Sequence, residues 1–410
     1  MRSLGEHFKI SHRDTEPQRN QRMDCQTFFD SFPLCLGVSV ANPSVLKQII
    51  SRELVGALIL FVLLTTGSGS ALAQGGSGSA KSAPATTATP ATTTAAKPAA
   101  TPVSSQARTA TSTSEQVVLD TSTGKLYGTL ELPLKGRAPY PAVLIISGSG
   151  PTDREGNSPV IPGANNSLKY LAEALAAQGI ASLRYDKRGV AESVMAAKSE
   201  SDLRFDTYID DAVSWGGRLR ADKRFSTLVI AGHSEGSLIG MVAAQKLGAE
   251  GYVSIAGAGR RADVVVLEQM KAQLSPELYA KTEAIFKSLS EGKTADNVPQ
   301  GMEALFRPSV QPYIISWLKY DPAREIAKLN VPVLITQGTH DIQVSVGDAK
   351  LLAQAKPTAR LLLVEGMNHV LKDAPADPQQ QAATYTDPSL PDSPKLLAEV
   401  VAFVKGVKKK

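Results

Sequence analysis

The stretch Thr227-Leu228-Val229-Ile230-Ala231-Gly232-His233-Ser234-Glu235-Gly236-Ser237-Leu238 decides the fold, because three local patterns follow one another within it. A short apolar and β-branched run comes first, then Gly-His-Ser-Glu-Gly, then residues that continue in a helical pattern to Leu247. Glycines on both sides of a residue let a strand turn sharply into a helix without steric overlap. The pattern predicts that Ser234 lies on this turn with its hydroxyl exposed, beside a helix N-terminus that favours negative charge.

Apolar runs that predict buried strands alternate with helical patterns on both sides of this turn. Residues 140–146 are apolar throughout, as expected of a strand covered on both faces, whereas 166–178 has leucines at helical spacing. Strands are also predicted at 180–185, 226–231, 251–257, 331–338 and 359–366, helices at 207–219 and 393–407, and a hairpin at 116–133. This alternation predicts an α/β fold with a mostly parallel, doubly wound sheet.

Composition and charge exclude several classes of protein. The chain has 410 residues, 42% of them hydrophobic and 20% charged, which is ordinary globular composition. The net charge is +5, but apart from Lys408-Lys409-Lys410 the basic residues are scattered, so no nucleic-acid-binding surface is predicted. No metal-ligand spacing and no phosphate-binding loop occur in the sequence, so we expect no metal and no other cofactor.

The first 114 residues differ from the rest of the chain. Residues 1–44 show no domain-forming pattern, and we expect this upstream extension to be absent from the mature protein. Residues 45–73 have a basic flank, a short apolar core and an Ala-Leu-Ala end, which predicts a secretory signal peptide cleaved after Ala73. Translation would then begin nearer Val45, and an uncleaved membrane anchor is the alternative. Residues 74–114 are rich in Ala, Thr and Pro and predict a disordered linker.

These predictions have consequences for location and for cysteine chemistry. The protein is expected to be exported, to the periplasm, the cell envelope or the medium, with membrane contact only through the N-terminal segment if that segment is uncleaved. Both cysteines, Cys25 and Cys35, precede the apolar core, so the mature chain would contain no thiol and no disulfide.

A serine hydroxyl becomes an effective nucleophile only when a base takes its proton, and the chain after residue 73 offers few bases. Its histidines are His233, His340 and His369. His233 lies inside the turn, with its ring expected to point away from the Ser234 hydroxyl. His340 adjoins Asp341 after one predicted strand, and His369 follows the next, in Gly366-Met367-Asn368-His369. Because sites in open parallel sheets gather at the carboxyl ends of strands, Ser234, Asp341 and His369 are predicted to converge there. His340 is the less favoured base, since neighbouring side chains leave one loop in different directions.

Several motifs carry a resemblance to a known family. Ser147-Gly148-Ser149-Gly150-Pro151-Thr152-Asp153-Arg154-Glu155-Gly156-Asn157 follows the third predicted strand, and Tyr185-Asp186-Lys187-Arg188-Gly189 follows the fourth. Ile315-Ser316-Trp317-Leu318-Lys319-Tyr320-Asp321-Pro322 lies late in the long segment before the strand at 331–338. From about Gln116 to Val407 the chain resembles an α/β-hydrolase, and is similar to the secreted bacterial esterase-like branch, in which serine esterases and serine aminopeptidase-like hydrolases share the order Ser, Asp, His.

The resemblance implies a role for each candidate residue. Ser234 would attack an acyl carbonyl, His369 would carry the proton, and Asp341 would orient His369. The oxyanion would be bound by the backbone N–H of Glu235 and by one from the Gly148-Ser149 turn, with Ser149 favoured over Gly148.

The same resemblance implies a helical cap at 259–320, inserted between core segments 115–258 and 321–410. Within one long helical stretch, apolar residues recur at roughly helical spacing at Leu267, Met270, Leu274, Leu278, Ile285 and Leu289. Met302, Phe306 and Tyr313 are candidates to line an acyl pocket beneath this cap.

The expected activity is hydrolysis of small-molecule carboxylic esters through an acyl-enzyme. A small-amide hydrolase or aminopeptidase with the same triad is the alternative, and a noncatalytic cell-surface binding protein on the same fold is the candidate from another class.

Overall fold

The computed structural model describes residues 111–409, which all belong to one compact unit. The upstream extension at 1–44, the signal peptide at 45–73 and nearly all of the linker at 74–114 lie outside the described residues, as do both cysteines. Strand β1 begins at Ser112, so the last residues assigned to the linker belong to the folded core. They extend the ladder because each has a cross-strand partner on β2, as Ser114 has in Glu131.

The described residues contain one eight-stranded sheet in the order β1-β2-β4-β3-β5-β6-β7-β8. Strand β2 is antiparallel to both of its neighbours, and the pairs from β4 through β8 are all parallel. The strands are β1 (Ser112–Thr121), β2 (Gly124–Pro133), β3 (Tyr140–Ile146), β4 (Ala181–Tyr185), β5 (Phe225–His233), β6 (Gly251–Ile255), β7 (Val333–Gly338) and β8 (Arg360–Val364). The predicted α/β fold class with a mostly parallel sheet is confirmed.

Helices cover both faces of this sheet. They are α1 (Ser167–Ala177), α2 (Phe205–Ala221), α3 (Glu235–Leu247), α4 (Ala262–Lys271), α5 (Pro276–Ser290), α6 (Glu303–Phe306), α7 (Gln311–Trp317), α8 (Pro322–Ala327), α9 (Val346–Ala355), α10 (Ala382–Thr386) and α11 (Pro394–Gly406), with short 3-10 turns at Ala191–Ala196, Glu200–Asp202 and Pro378–Gln381. Apolar side chains of α2, α3, α8 and α9 form one core against the sheet, and those of α1 and α11 form the other. Strands between two cores must be apolar on both faces, which explains the continuous apolar runs.

The segment between β6 and β7 forms the helices α4 to α8, and α4 to α7 have an apolar core of their own around Phe286, Leu289 and Phe306. The prediction of one continuous helical stretch is wrong, because the helices are interrupted at several points; the first is where α4 ends at Lys271 and α5 begins at Pro276. Proline at the first helical position, preceded by the Ser275 side chain that caps the Leu278 amide, starts a new helix there. Leu274 therefore lies between two helices.

The insertion is attached to the rest of the structure on the α2 side. The Phe205 ring stacks on the Trp317 ring at 5.9 Å between centroids, and the Phe205 amide donates to Ser316 Oγ at 2.7 Å. Arg307 forms an ion pair with Glu200, in which Nε donates to Oε2 at 2.8 Å. Within residues 111–409, no helix combines the length and the apolar character that spanning a membrane requires.

Candidate active site

Ser234 occupies a single-residue turn between β5 and α3. The strand ends at His233, the helix begins at Glu235, and Ser234 has φ 54° and ψ −121°, a strained conformation for a residue with a side chain. The flanking glycines are required sterically. A Cβ atom on Gly232 would lie 2.1 Å from the Gly236 carbonyl oxygen, and one on Gly236 would lie 2.4 Å from the Ile146 carbonyl oxygen. The predicted strand-turn-helix is therefore present, and α3 packs directly against the end of β3.

Asp341 lies in the loop after β7, with its side chain fully buried and all its hydrogen bonds satisfied. Its Oδ1 accepts from the amides of Gln343 and Val344 at 2.8 and 2.9 Å, and its Oδ2 accepts from Gln337 Nε2 at 2.8 Å. Burial by itself would raise the pKa of Asp341, but the charge and hydrogen bond of His369 and the two amides outweigh it and hold that pKa below its usual value. The carboxylate is therefore ionised at neutral pH.

His369 lies in the loop after β8, and its Nδ1 is 2.8 Å from Asp341 Oδ2. An ionised carboxylate only accepts hydrogen bonds, so Nδ1 carries the proton and Nε2 is unprotonated in the neutral ring. His340, the less favoured base, instead has Nδ1 2.7 Å from the Ala374 carbonyl oxygen. The structure thus joins Asp341 to His369 and directs His340 elsewhere.

Ser234 lies at the same edge of the sheet, one residue from His233, whose ring centroid is 4.9 Å from that of His369. Among the described residues, no hydrogen bond links the Ser234 hydroxyl to His369, and Ser234 is partly exposed. Such contacts are often long in ligand-free enzymes and shorten when substrate binds.

His233 has a structural role that the sequence patterns did not indicate. Its Nε2 lies 2.9 Å from the His369 carbonyl oxygen, so the ring donates a hydrogen bond that holds the backbone of the His369 loop. Burial, together with the nearby charge of His369, lowers the pKa of His233 to about 3. His233 is therefore neutral at physiological pH and keeps the tautomer that this hydrogen bond requires.

The three residues predicted to form an oxyanion hole all lie near Ser234, and Ser149 lines the same pocket as Ser234. Glu235 follows it directly, and Gly148 packs so closely that an added Cβ would lie 3.1 Å from Ser234 Cβ. Within residues 111–409, neither the Ser149 amide nor the Glu235 amide has a hydrogen-bond partner. Unpaired N–H donors next to a nucleophile are what the stabilisation of a negatively charged oxygen requires, so both amides remain candidates for that role.

A pocket opens at Ser234 between the sheet and the insertion. Its walls are mostly apolar, with a few polar groups, and comprise Ser149, Ser234, Glu235, Leu238, Ala258, Arg260, Ala262, Val265, Val266, Gln269, Trp317, Pro322, Gln343 and Val344. The expectation for Met302, Phe306 and Tyr313 is wrong. Met302 and Phe306 are buried in the core of the insertion, and the Tyr313 hydroxyl donates to Glu235 Oε1 at 2.6 Å. Helix α4 lines the pocket instead, because its apolar side chains contact both the core of the insertion and the pocket.

Two further residues near the site could be found only from the structure. Gln337, the second-last residue of β7, donates to Asp341, and Lys187, after β4, binds both Gly148 and Glu235. Gln337 lies at the end of a strand that the sequence predicts and Lys187 follows another, which is the one sequence signal that points to them. Among the described residues, no cluster of His, Cys, Asp and Glu has the geometry of a metal site.

Comparison with known proteins identifies relatives of this chain. It is 28% identical over 255 residues to esterase EstD from Thermotoga maritima, an alignment that covers 62% of this chain and 59% of that protein. The solved structure of Est1E from Butyrivibrio proteoclasticus aligns with 71% of this chain and 96% of its own, at 17% identity and a TM-score of 0.45. A thermophilic esterase from Thermogutta terrifontis, solved with malate bound, aligns with 72% of this chain and 99% of its own, at 15% identity and a TM-score of 0.44.

The sequence model of one family matches residues 164–373, slightly more than half of the 410 residues. This range contains the Ser234 turn, Asp341 and His369. The model describes serine aminopeptidases of the S33 type. The chain therefore belongs to the serine aminopeptidase (S33) family of α/β-hydrolases.

Proposed function

We propose that this protein is a serine hydrolase that cleaves small-molecule carboxylic esters through an acyl-enzyme. The observation that carries the proposal is the hydrogen bond between His369 Nδ1 and Asp341 Oδ2, at the edge of the sheet where Ser234 occupies a strained turn. The similarity to esterase EstD supports an ester as the substrate.

Each of these residues has a step in the proposed reaction. Ser234 Oγ attacks the carbonyl carbon while His369 Nε2 accepts the hydroxyl proton, and the ionised Asp341 stabilises the resulting imidazolium. The negative charge develops on the carbonyl oxygen, which the Ser149 and Glu235 amides stabilise. His369 then gives its proton to the departing alkoxide, and water attacks the acyl-serine by the same steps in reverse order.

The charges of the pocket favour an ester over the substrate of an aminopeptidase, the alternative that the family description raises. A free α-amino group is positively charged, and burying it requires a carboxylate or several acceptors. The charged residues among the pocket walls are Glu235 and Arg260. Both carboxylate oxygens of Glu235 are hydrogen bonded, to Lys187 and Tyr313, and Arg260 binds Asp348 through Nε and Nη2 at 2.8 and 2.7 Å. The one carboxylate among the pocket walls, that of Glu235, is therefore already paired and is not free to bind an α-amino group.

Two experiments test this function. A fluorophosphonate probe should label the parent protein covalently, and the Ser234→Ala variant should not be labelled, because the probe bonds to an activated serine oxygen. A panel of p-nitrophenyl esters assayed beside aminoacyl p-nitroanilides should show turnover of the esters. Faster turnover of the anilides would favour the aminopeptidase, and an unlabelled, inactive parent would favour a noncatalytic binding protein.

We also propose that the protein is exported, from the signal-peptide pattern at 45–73. The mass of the protein purified from its own source, after proteolysis, should show an N-terminal peptide that begins at Gln74. A peptide that spans Ala73 and Gln74 would contradict cleavage and would support the membrane-anchor alternative.

A further inference from the structure

A buried lysine contacts both chain segments that border Ser234. Lys187 follows β4, and its side chain is 1% exposed. Its ammonium group donates a hydrogen bond to the Gly148 carbonyl oxygen and another, of 2.9 Å, to Glu235 Oε2. It also lies 5.3 Å from the centroid of the Tyr208 ring. One of these two oxygens belongs to Gly148, which directly precedes the candidate donor Ser149. The other belongs to the side chain of Glu235, the second candidate donor.

The hydrogen bond to Gly148 determines which way the next amide points. The carbonyl and the N–H of a trans peptide point in opposite directions, and among the described residues the cis bond is at Ala138-Pro139. Because Lys187 holds the Gly148 oxygen on the buried side, the Ser149 N–H is directed to the other side. Ser149 lines the pocket there together with Ser234.

The bond to Glu235 compensates a charge that would otherwise oppose catalysis. The Glu235 side chain is 3% exposed, and it directly follows the nucleophile. A buried, uncompensated carboxylate would repel the negative charge of the tetrahedral intermediate, because charges interact strongly away from water. Lys187 supplies the compensating positive charge, and the Tyr313 hydroxyl binds the second carboxylate oxygen.

We propose that Lys187 is a positioning residue for the oxyanion hole, which orients the Gly148-Ser149 peptide and neutralises the Glu235 carboxylate. The inference rests on the proposed function, because an oxyanion forms only if Ser234 attacks a carbonyl group. It extends that function by naming the side chain that orients the Ser149 amide. That side chain, Lys187, lies about 40 residues further along the chain, so the sequence alone does not indicate the contact.

The test compares Lys187→Met with the parent, using p-nitrophenyl acetate as substrate and a trifluoromethyl ketone as an inhibitor that forms a tetrahedral adduct. Loss of one oxyanion donor lowers kcat by about 100- to 1,000-fold in other serine hydrolases. Since the Ser149 amide would be displaced and not removed, we expect kcat to fall by about 10- to 100-fold and KM to change by less than about threefold. The affinity for the ketone should fall by a factor similar to that of kcat.

The matched control is Arg188→Met, at the next residue in the same loop. Arg188 also forms a buried ion pair, with Asp211, in which Nε donates to Oδ2 at 3.0 Å, but it does not contact Gly148 or Glu235. This variant should lose stability, as measured by urea unfolding, while the folded enzyme keeps the kcat and ketone affinity of the parent. A reduction of kcat as large as that in Lys187→Met would overturn the proposal, because both effects would then reflect the loop alone.

A second variant keeps the test decisive if Lys187→Met fails to fold. The double variant Lys187→Met with Glu235→Gln removes both charges, and replacing a whole buried ion pair is far less destabilising than removing one partner. We expect it to fold but to retain the low kcat, because the Gly148 oxygen still lacks its donor. A double variant with the kcat of the parent would overturn the orienting role of Lys187.

The outcomes separate this inference from the proposed function. A parent that a fluorophosphonate labels, and that hydrolyses esters, establishes the function whatever Lys187 does. If Lys187→Met then keeps the kcat and ketone affinity of that parent, the inference alone is wrong. A parent that is neither labelled nor active would overturn the function and this inference together.

Discussion

The neutral, buried state of His233 predicts a specific dependence of stability on pH. Its Nε2 donates to the His369 carbonyl oxygen, and burial lowers its pKa to about 3. The change to make is His233→Gln, because the glutamine side chain amide can donate to the same carbonyl oxygen but does not titrate. Parent and variant are then compared by the difference in their free energies of unfolding as the pH is lowered.

The sign follows from proton binding. An unfolded histidine has a pKa of about 6.5 and takes up a proton below that pH, whereas the folded His233 does so only near its own pKa of about 3. The unfolded state therefore binds more protons between these values, and the stability of the folded state falls as the pH falls through this window. At about 1.36 kcal/mol for each pKa unit, His233 alone removes about 2 kcal/mol between pH 8 and pH 5.

Urea unfolding, followed by tryptophan fluorescence at pH 8, 6.5 and 5, measures this effect. The variant should lose about 2 kcal/mol less than the parent between pH 8 and pH 5, and about 3 kcal/mol less if the series reaches pH 4. The comparison at pH 8 serves as the internal control, since both side chains are neutral there and any difference reports packing alone. His369, Asp341 and Lys187 face the ring in both proteins, so their titration contributes to both curves.

Two results would refute the reasoning. If parent and variant lose stability in parallel to within about 0.5 kcal/mol from pH 8 to pH 5, His233 does not remain neutral in the folded state. If the variant is instead the more acid-sensitive protein, the protonated imidazolium stabilises the fold. The direction of proton linkage would then be opposite to that expected from burial.

Three further predictions concern the site. Asp341→Asn should lower kcat by about 100- to 10,000-fold without unfolding the protein, since an amide does not hold the His369 tautomer; parent-like kcat would exclude its role. Gly236→Ala should reduce the free energy of unfolding by at least about 2 kcal/mol, because the added Cβ meets the Ile146 carbonyl oxygen at 2.4 Å; an unchanged urea midpoint would contradict this. Tyr313→Phe should cost about 1–3 kcal/mol through the unpaired Glu235 oxygen, and a loss below about 0.5 kcal/mol would show that this oxygen finds another donor.

The turn at Ser234 shows what local sequence determines. The contact that requires Gly236, with the Ile146 carbonyl oxygen, depends on packing against β3. The apolar run before the turn, its Gly232 and the helical pattern after it, in contrast, lie within about 20 consecutive residues and indicate the turn without the remainder of the chain. The same holds for the positions of Asp341 and His369 directly after apolar strands. Because parallel strands end at one edge of the sheet, the order of these elements predicts that the three side chains lie at that edge, and the hydrogen bond between His369 and Asp341 agrees with this.

Other features depended on which distant residues meet. In the sequence, Lys187 is one basic residue in a predicted loop. It is buried against Gly148 and Glu235 because β3 pairs with both β4 and β5, which brings the segments after these three strands together. The role expected for Tyr313 failed for the same reason. Helical spacing indicates which face of a helix is apolar, but not whether that face meets a pocket, another helix or a buried carboxylate.

The properties of His233 depend partly on local sequence and partly on tertiary structure. The sequence places it within the turn, next to Ser234. Its hydrogen bond to the His369 carbonyl oxygen joins residues that are 136 positions apart, and burial of its ring by surrounding elements lowers its pKa. Sterics between neighbouring residues can be read from the sequence. Desolvation, hydrogen bonding and steric contact with distant segments depend instead on every element that packs around a group, which only the tertiary structure decides.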